Sequence, residues 1–171
     1  MPRYVALLRG VSPMNAKMPE LRRCYEAAGF TNVTTVLASG NVVFDSRSSS
    51  EAAVHKKVAA AMAADLAQTF PVILRRQDHL LALLEQDPFA RFKLPAEAKK
   101  VVTFLPQVAE AKLKLPVEKD GARILALEGR ELFSAYVVSD KGPVFMALIE
   151  KTFGKDLTTR TWDTVRKCAA A

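Results

Sequence analysis

Two short runs of β-branched and aromatic residues, joined by Ser39-Gly40-Asn41, constrain this chain more than any other feature in it. Val33-Thr34-Thr35-Val36-Leu37-Ala38 and Asn41-Val42-Val43-Phe44-Asp45 are the length of strands and rich in strand formers. Glycine and asparagine tolerate positive φ, so the join reads as a tight hairpin turn. Ahead of it, residues 3–11 read as a buried strand with Val5, Leu7 and Leu8 apolar. Pro19 and Glu20 suit the start of a helix, which carries Leu21, Cys24, Tyr25 and Ala28 at helical spacing and stops at Gly29. Beyond the hairpin, Ser48 and Glu51 have the spacing of a capping box. The alanine-rich helix they open runs to about Gln68; a strand over Phe70 to Leu74 and a helix from about Gln77 to Gln86 follow. The order βαββαβ is that of a split βαβ, or ferredoxin-like, domain: a four-stranded antiparallel sheet with both helices on one face.

The second half repeats this order more loosely, so the expected fold is α+β, a ferredoxin-like first half with a similar second half that is a candidate duplication. Val101 to Leu105 reads as a strand and Gln107 to Lys114 as a short helix. Ala122 to Leu127 and Leu132 to Val138 read as a hairpin through Glu128-Gly129-Arg130-Glu131, and Pro143 to Phe153 as a helix. A final helix starts near Thr161. Asp87 to Lys100, which holds Pro88 and Pro95, is the expected link, dividing the chain into subdomains 1–87 and 88–171 of one compact unit.

With 171 residues the chain can bury a core without disulfides or metals. No apolar run approaches the 18 or so residues of a membrane span, and the N-terminal apolar run between Arg3 and Arg9 is too short for a secretory signal. Cys24 and Cys168 belong to no paired motif and read as free thiols. A cytoplasmic protein is expected. The net charge of +7 is divided between the halves and forms no basic tail, which permits an anionic partner without requiring one.

Three stretches carry a family resemblance. Tyr4-Val5-Ala6-Leu7-Leu8-Arg9-Gly10-Val11 opens the chain, Ser39-Gly40-Asn41-Val42-Val43-Phe44 lies between strands, and Thr158-Thr159-Arg160-Thr161-Trp162-Asp163-Thr164-Val165 closes it. In this order they resemble the bacterial domain of unknown function 1697 family. The resemblance implies a fold and a location but no activity. Two departures stand out. Ser12-Pro13-Met14-Asn15-Ala16-Lys17 replaces a glycine-containing, asparagine-rich loop, and Thr161 stands where the family pattern has asparagine.

The same motifs supply the candidate ligand-binding residues: Arg9, Gly10, Asn15, Ser39, Gly40, Asn41, Thr159, Arg160 and Trp162. Arg9, at the end of a strand and before a helix N-terminus, is placed to clamp a phosphate or carboxylate. Ser39 and Asn41 offer a hydroxyl and an amide, or serve only the hairpin turn. Thr159, Arg160 and Trp162 are a binding cluster or a helix cap with a tryptophan anchor.

No catalytic signature is recognisable. His55 and His79 stand outside any zinc motif, and the nucleophile elbow, the P-loop and G-x-G-x-x-G are all missing. No metal site and no cofactor are expected. Three readings follow: a protein binding a small anionic ligand such as a nucleotide or phosphorylated metabolite, a nucleic-acid-binding module, and an enzyme with an unrecognised site. The oligomeric state is open.

Overall fold

The structure is a computed structural model that describes residues 1–66, 68–109, 114–138 and 144–171. The elements run β1 (Arg3–Leu8), α1 (Met18–Ala27), β2 (Thr31–Val36), β3 (Asn41–Asp45), α2 (Glu51–Asp65), β4 (Val72–Arg76), α3 (Gln77–Gln86), a 3-10 turn (Pro88–Arg91), β5 (Lys99–Phe104), β6 (Val117–Lys119), β7 (Ala122–Glu128), β8 (Glu131–Tyr136), α4 (Val144–Phe153), β9 (Thr158–Thr161) and α5 (Trp162–Ala170). The chain is a mixed α/β protein with two antiparallel sheets. It divides into two compact units, Met1–Leu84 with Thr164–Ala171, and Glu85–Asp163. Among the described residues no helix is long and apolar enough to cross a membrane.

In the first unit the strand order is β2-β3-β1-β4. Alternation along the central strand β1 sends Tyr4, Ala6 and Leu8 to one face, where they join Val42, Phe44, Val72 and Leu74 in a single core cluster. Helix α1 covers that face with Leu21, Cys24 and Tyr25. The alanine-rich α2 contributes only Val54, Val58 and Met62, spaced by four to form one narrow stripe. Small residues around that stripe let α2 lie close to the sheet. Phe44 sits at the centre, its ring 4.4 Å from Phe30 and 5.3 Å from Tyr25. Arg3 ties the unit's edges together: its guanidinium donates to Asp45 Oδ1 at 2.9 Å, to the Asn32 carbonyl at 3.0 Å and to the Ala171 carbonyl at 3.2 Å.

Several expected boundaries shift for local reasons. Strand β1 stops at Leu8 rather than Val11: Arg9 N still reaches the Pro71 carbonyl, and Gly10 then turns the chain away at φ 84°. The hairpin turn is four residues long, Leu37 to Gly40, with Asn41 already in β3. The cap of α2 is Ser50, whose hydroxyl accepts from Ala53 N at 3.3 Å; Ser48 accepts instead from Ser50 N. A ladder of serines thus leads into the helix, and the one nearest the first turn makes the cap.

In the second unit the order is β6-β7-β8-β5-β9. Leu105, Ile124, Leu132, Ile149 and Leu157 make one buried cluster, and Phe89, Phe133 and Trp162 meet edge to face on the same unit. Two strands escaped the sequence reading. Lys119 and Ala122 flank Asp120-Gly121, both at positive φ, which is the two-residue turn of a β6–β7 hairpin. Thr158–Thr161 forms strand β9, paired with β5, and leads directly into α5. Three threonines in four residues favour the extended backbone. The helix expected over Gln107 to Lys114 lies largely outside the described residues.

Gly40 combines φ 85° with a crowded site, since an added Cβ would meet the Val11 side chain at 2.9 Å and Leu8 Cβ at 3.1 Å. Gly10 has the same φ sign with nothing within 4 Å. Left-handed backbone costs a side-chain-bearing residue roughly 1–2 kcal/mol, and overpacking adds roughly 1–3 kcal/mol. Gly40→Ala is therefore expected to lower urea-unfolding stability by about twice as much as Gly10→Ala. Equal losses would mean that the Val11 contact carries no strain.

Candidate functional site

Six of the nine residues singled out from the sequence fall at one end of the first sheet, and backbone geometry draws them together. Leu8 N donates to the Gly40 carbonyl at 2.9 Å, which fastens the end of β1 to the hairpin turn. Asn41 pairs with Leu7 across the ladder. Its amide nitrogen donates to the Val36 carbonyl and to Ser39 Oγ, both at 2.9 Å, closing the turn from inside. Asn41 is fully buried, so this amide holds the hairpin. On the neighbouring loop, Asn15 Nδ2 donates to the Gly10 carbonyl at 2.8 Å, and Asn15 Oδ1 accepts from Ser12 N at 2.9 Å. One asparagine thereby braces residues 10–15 into a fixed turn ahead of α1. Arg9, half-buried, leaves β1 at the same end.

The other three residues belong to the second unit. Thr159 Oγ1 lies 2.9 Å from Thr103 Oγ1 across the β5–β9 ladder. The Arg160 guanidinium is buried and donates to Thr158 Oγ1 at 2.6 Å and to the Thr159 carbonyl at 3.0 Å. The Trp162 ring is 5.1 Å from Phe89 and only 7% exposed. These contacts secure β9 and the start of α5 within that unit.

Of the six first-unit residues, Asn15 lines a ligand-sized space. An open cavity of about 510 Å³ is bounded by Asn15, Glu20, Arg23, Cys24, Ala27, Asp65 and Leu66, within the range of small-molecule sites. Helix α1 contributes four of these, and the C-terminal end of α2 contributes two. Sequence reasoning passed over Glu20, Arg23, Cys24 and Asp65 as members of a site. One signal was present. Asp65 places a carboxylate in the last turn of α2, where no basic residue balances it, against the preference set by the helix dipole. The proximity of α1 to that end of α2 is a tertiary fact with no local signature.

Cys24 forms part of the cavity floor. Burial pushes its thiol up to about 11, and the Asp65 carboxylate adds to the rise. At neutral pH it is a neutral, poorly nucleophilic group. His55, exposed on α2, uses Nε2 to contact the Val72 carbonyl at 3.0 Å and so tethers that helix to β4. Among the described residues no three His, Cys, Asp or Glu side chains cluster as metal ligands would.

Two antiparallel sheets in two units, with a charged, helix-lined cavity on the first, define a mixed α/β protein with room for a small molecule. The chain belongs to the family described as proteins of unknown function, DUF1697, whose pattern matches residues 1–133. That span takes in the first two motifs and all the cavity residues; the closing motif lies beyond it. Among curated proteins none matches the chain. Among solved structures, the conserved bacterial protein SP0830 from Streptococcus pneumoniae is similar over 99% of this chain and 97% of its own, with a TM-score of 0.72 and 21% identity. That likeness shows the shared fold.

Both cysteines are buried. A thiol with a pKa near 11 is about one-thousandth ionised at pH 8. Labelling of the native protein by a disulfide reagent at pH 8 is expected to be at least about a hundredfold slower than in urea, following thiolate fraction and access. Rapid labelling of one thiol in the native protein would contradict the placement of Cys24.

Proposed function

We propose that this chain is a binding protein for a small ligand bearing an anionic group, held in the cavity of the first unit. The cavity itself is the observation that carries the reading. Arg23 supplies its cation. The neighbouring Arg22 is paired with Glu26 at 3.2 Å, whereas Arg23 forms no ion pair with any described residue. Asn15, braced by the loop, supplies an amide. In this reading Arg9, Gly10, Ser39, Gly40 and Asn41 shape and stiffen the loop end beside it. The one thiol at the cavity, Cys24, is held protonated, which counts against thiolate chemistry there. Nucleic-acid binding is less well supported: base stacking on a sheet needs exposed aromatics, and the strand aromatics Tyr4 and Phe44 are fully buried.

We also read both units as versions of one ferredoxin-like plan. With β6 set aside, the order β7-β8-β5-β9 follows that of β2-β3-β1-β4. Supporting the correspondence, Leu105 N donates to the Arg130 carbonyl at 2.8 Å, just as Leu8 N donates to that of Gly40. In both units the end of the first strand is fastened to the last turn residue of the following hairpin.

Calorimetric titration with inorganic phosphate, AMP, succinate and glutamate tests the binding reading. At least one is expected to bind saturably, and Arg23→Gln to weaken it about tenfold, the scale of one lost charge-assisted hydrogen bond. Binding only to oligonucleotides, with affinity collapsing as salt rises, or no heat with any of these, would overturn it.

A further inference from the structure

The cavity is not simply basic. Besides Arg23 it carries two carboxylates, Glu20 and Asp65. Neither of them pairs with a basic group: no ion pair joins Glu20, Arg23 or Asp65 to any described residue, although α1 accommodates an i,i+4 pair one residue away at Arg22 and Glu26. Three charges therefore face one space of about 510 Å³ without neutralising one another. A simple anion attracted by Arg23 would meet two carboxylates, and a simple cation attracted by them would meet a guanidinium.

The charges come from two helices: Asp65 from the end of α2, and Glu20 and Arg23 from α1. The cavity runs along α1 from Glu20 in its first turn, through Arg23 and Cys24, to Ala27, its last residue. It also takes in the last residue of α2, Asp65, with Leu66 beyond it. A helix start carries partial positive charge and a helix end partial negative charge. Asp65 adds a full negative charge to an end that is already negative. Its field is felt locally, because it helps to raise the pKa of the Cys24 thiol beneath it. Arg23 lies one turn into α1. The remaining lining residues Cys24, Ala27 and Leu66 are uncharged.

We propose that the cavity binds a small zwitterion: an ammonium group set against Asp65 and the end of α2, a carboxylate or phosphate set against Arg23 and Asn15, and a short aliphatic link over Cys24, Ala27 and Leu66. This rests on the binding reading above and names its substrate class. Glu20, on α1 with Arg23, counts against an unaccompanied anion and in favour of a ligand that brings its own cation.

The test uses the whole chain and ω-amino acids from glycine through 4-aminobutyrate to 6-aminohexanoate, with butyrate and butylamine as single-charge controls, followed by calorimetry. One member of the series is expected to bind at least about tenfold more tightly than either control, the scale of a second charge-assisted contact. Asp65→Asn is expected to erase its advantage over butyrate, and Arg23→Gln its advantage over butylamine. Both side chains are exposed, so the variants should keep the wild-type melting temperature, measured alongside. Butyrate binding as tightly as every amino acid would overturn the zwitterion while leaving the anion reading in place. Silence from the whole series and both controls, in a protein that binds phosphate, AMP or succinate, would do the same. Silence from every compound in both experiments would remove both.

Discussion

The hydrogen bond from Leu8 N to the Gly40 carbonyl, with the glycine pressed against Val11, is the constraint on which the first unit turns. It carries the β1–β3 pairing one residue beyond Leu7 and Asn41 and fixes the hairpin turn to that end of the sheet. Because no side chain fits at Gly40, the loop after β1 can pass directly over the turn. Gly10 then redirects the chain, and Asn15 holds the new direction by bonding back to Gly10 and Ser12. Helix α1 consequently begins from a braced loop. Its residues Glu20, Arg23 and Cys24 come to share one cavity with the end of α2.

The chemistry proposed for the cavity follows from that placement and from an imbalance. Helix α2 contributes to the core through three apolar residues set among alanines, so its orientation rests on a narrow stripe. It ends in an aspartate that the helix dipole disfavours. Stability alone gives no reason for an acidic group there, and a bound cation gives one. The buried Cys24 thiol beneath supplies a neutral floor whose protonation does not compete with the charges above it.

Much of this architecture could be read in the residues. The hairpin around Gly40, the amphipathic α1 and the βαβ-type order of the first half were visible because each rests on local periodicity and turn chemistry. Strand β9 was missed because Thr158 to Thr161 sits next to a helix, where threonine also serves as a cap; only the pairing with β5 reveals the strand. Strand β6 was missed although Asp120-Gly121 carries a strong turn signal, since three residues are too few to show alternation. Of the candidate site, Asn15 was nominated and lines the cavity. Arg23, Glu20 and Asp65 were not, because an exposed charge on a helix looks the same in sequence whether it faces bulk water or a pocket formed by a second helix forty residues away.

Amide correlation spectra of the isotopically labelled chain, recorded while the tightest-binding ω-amino acid is added, test the central claim most directly by showing where the ligand sits. The account predicts saturable shifts confined to residues 15–27 and the last turn of α2, with the amides of Glu85–Asp163 unmoved. Shifts centred on Arg160 and Trp162, or scattered over the surface without saturation, would contradict it.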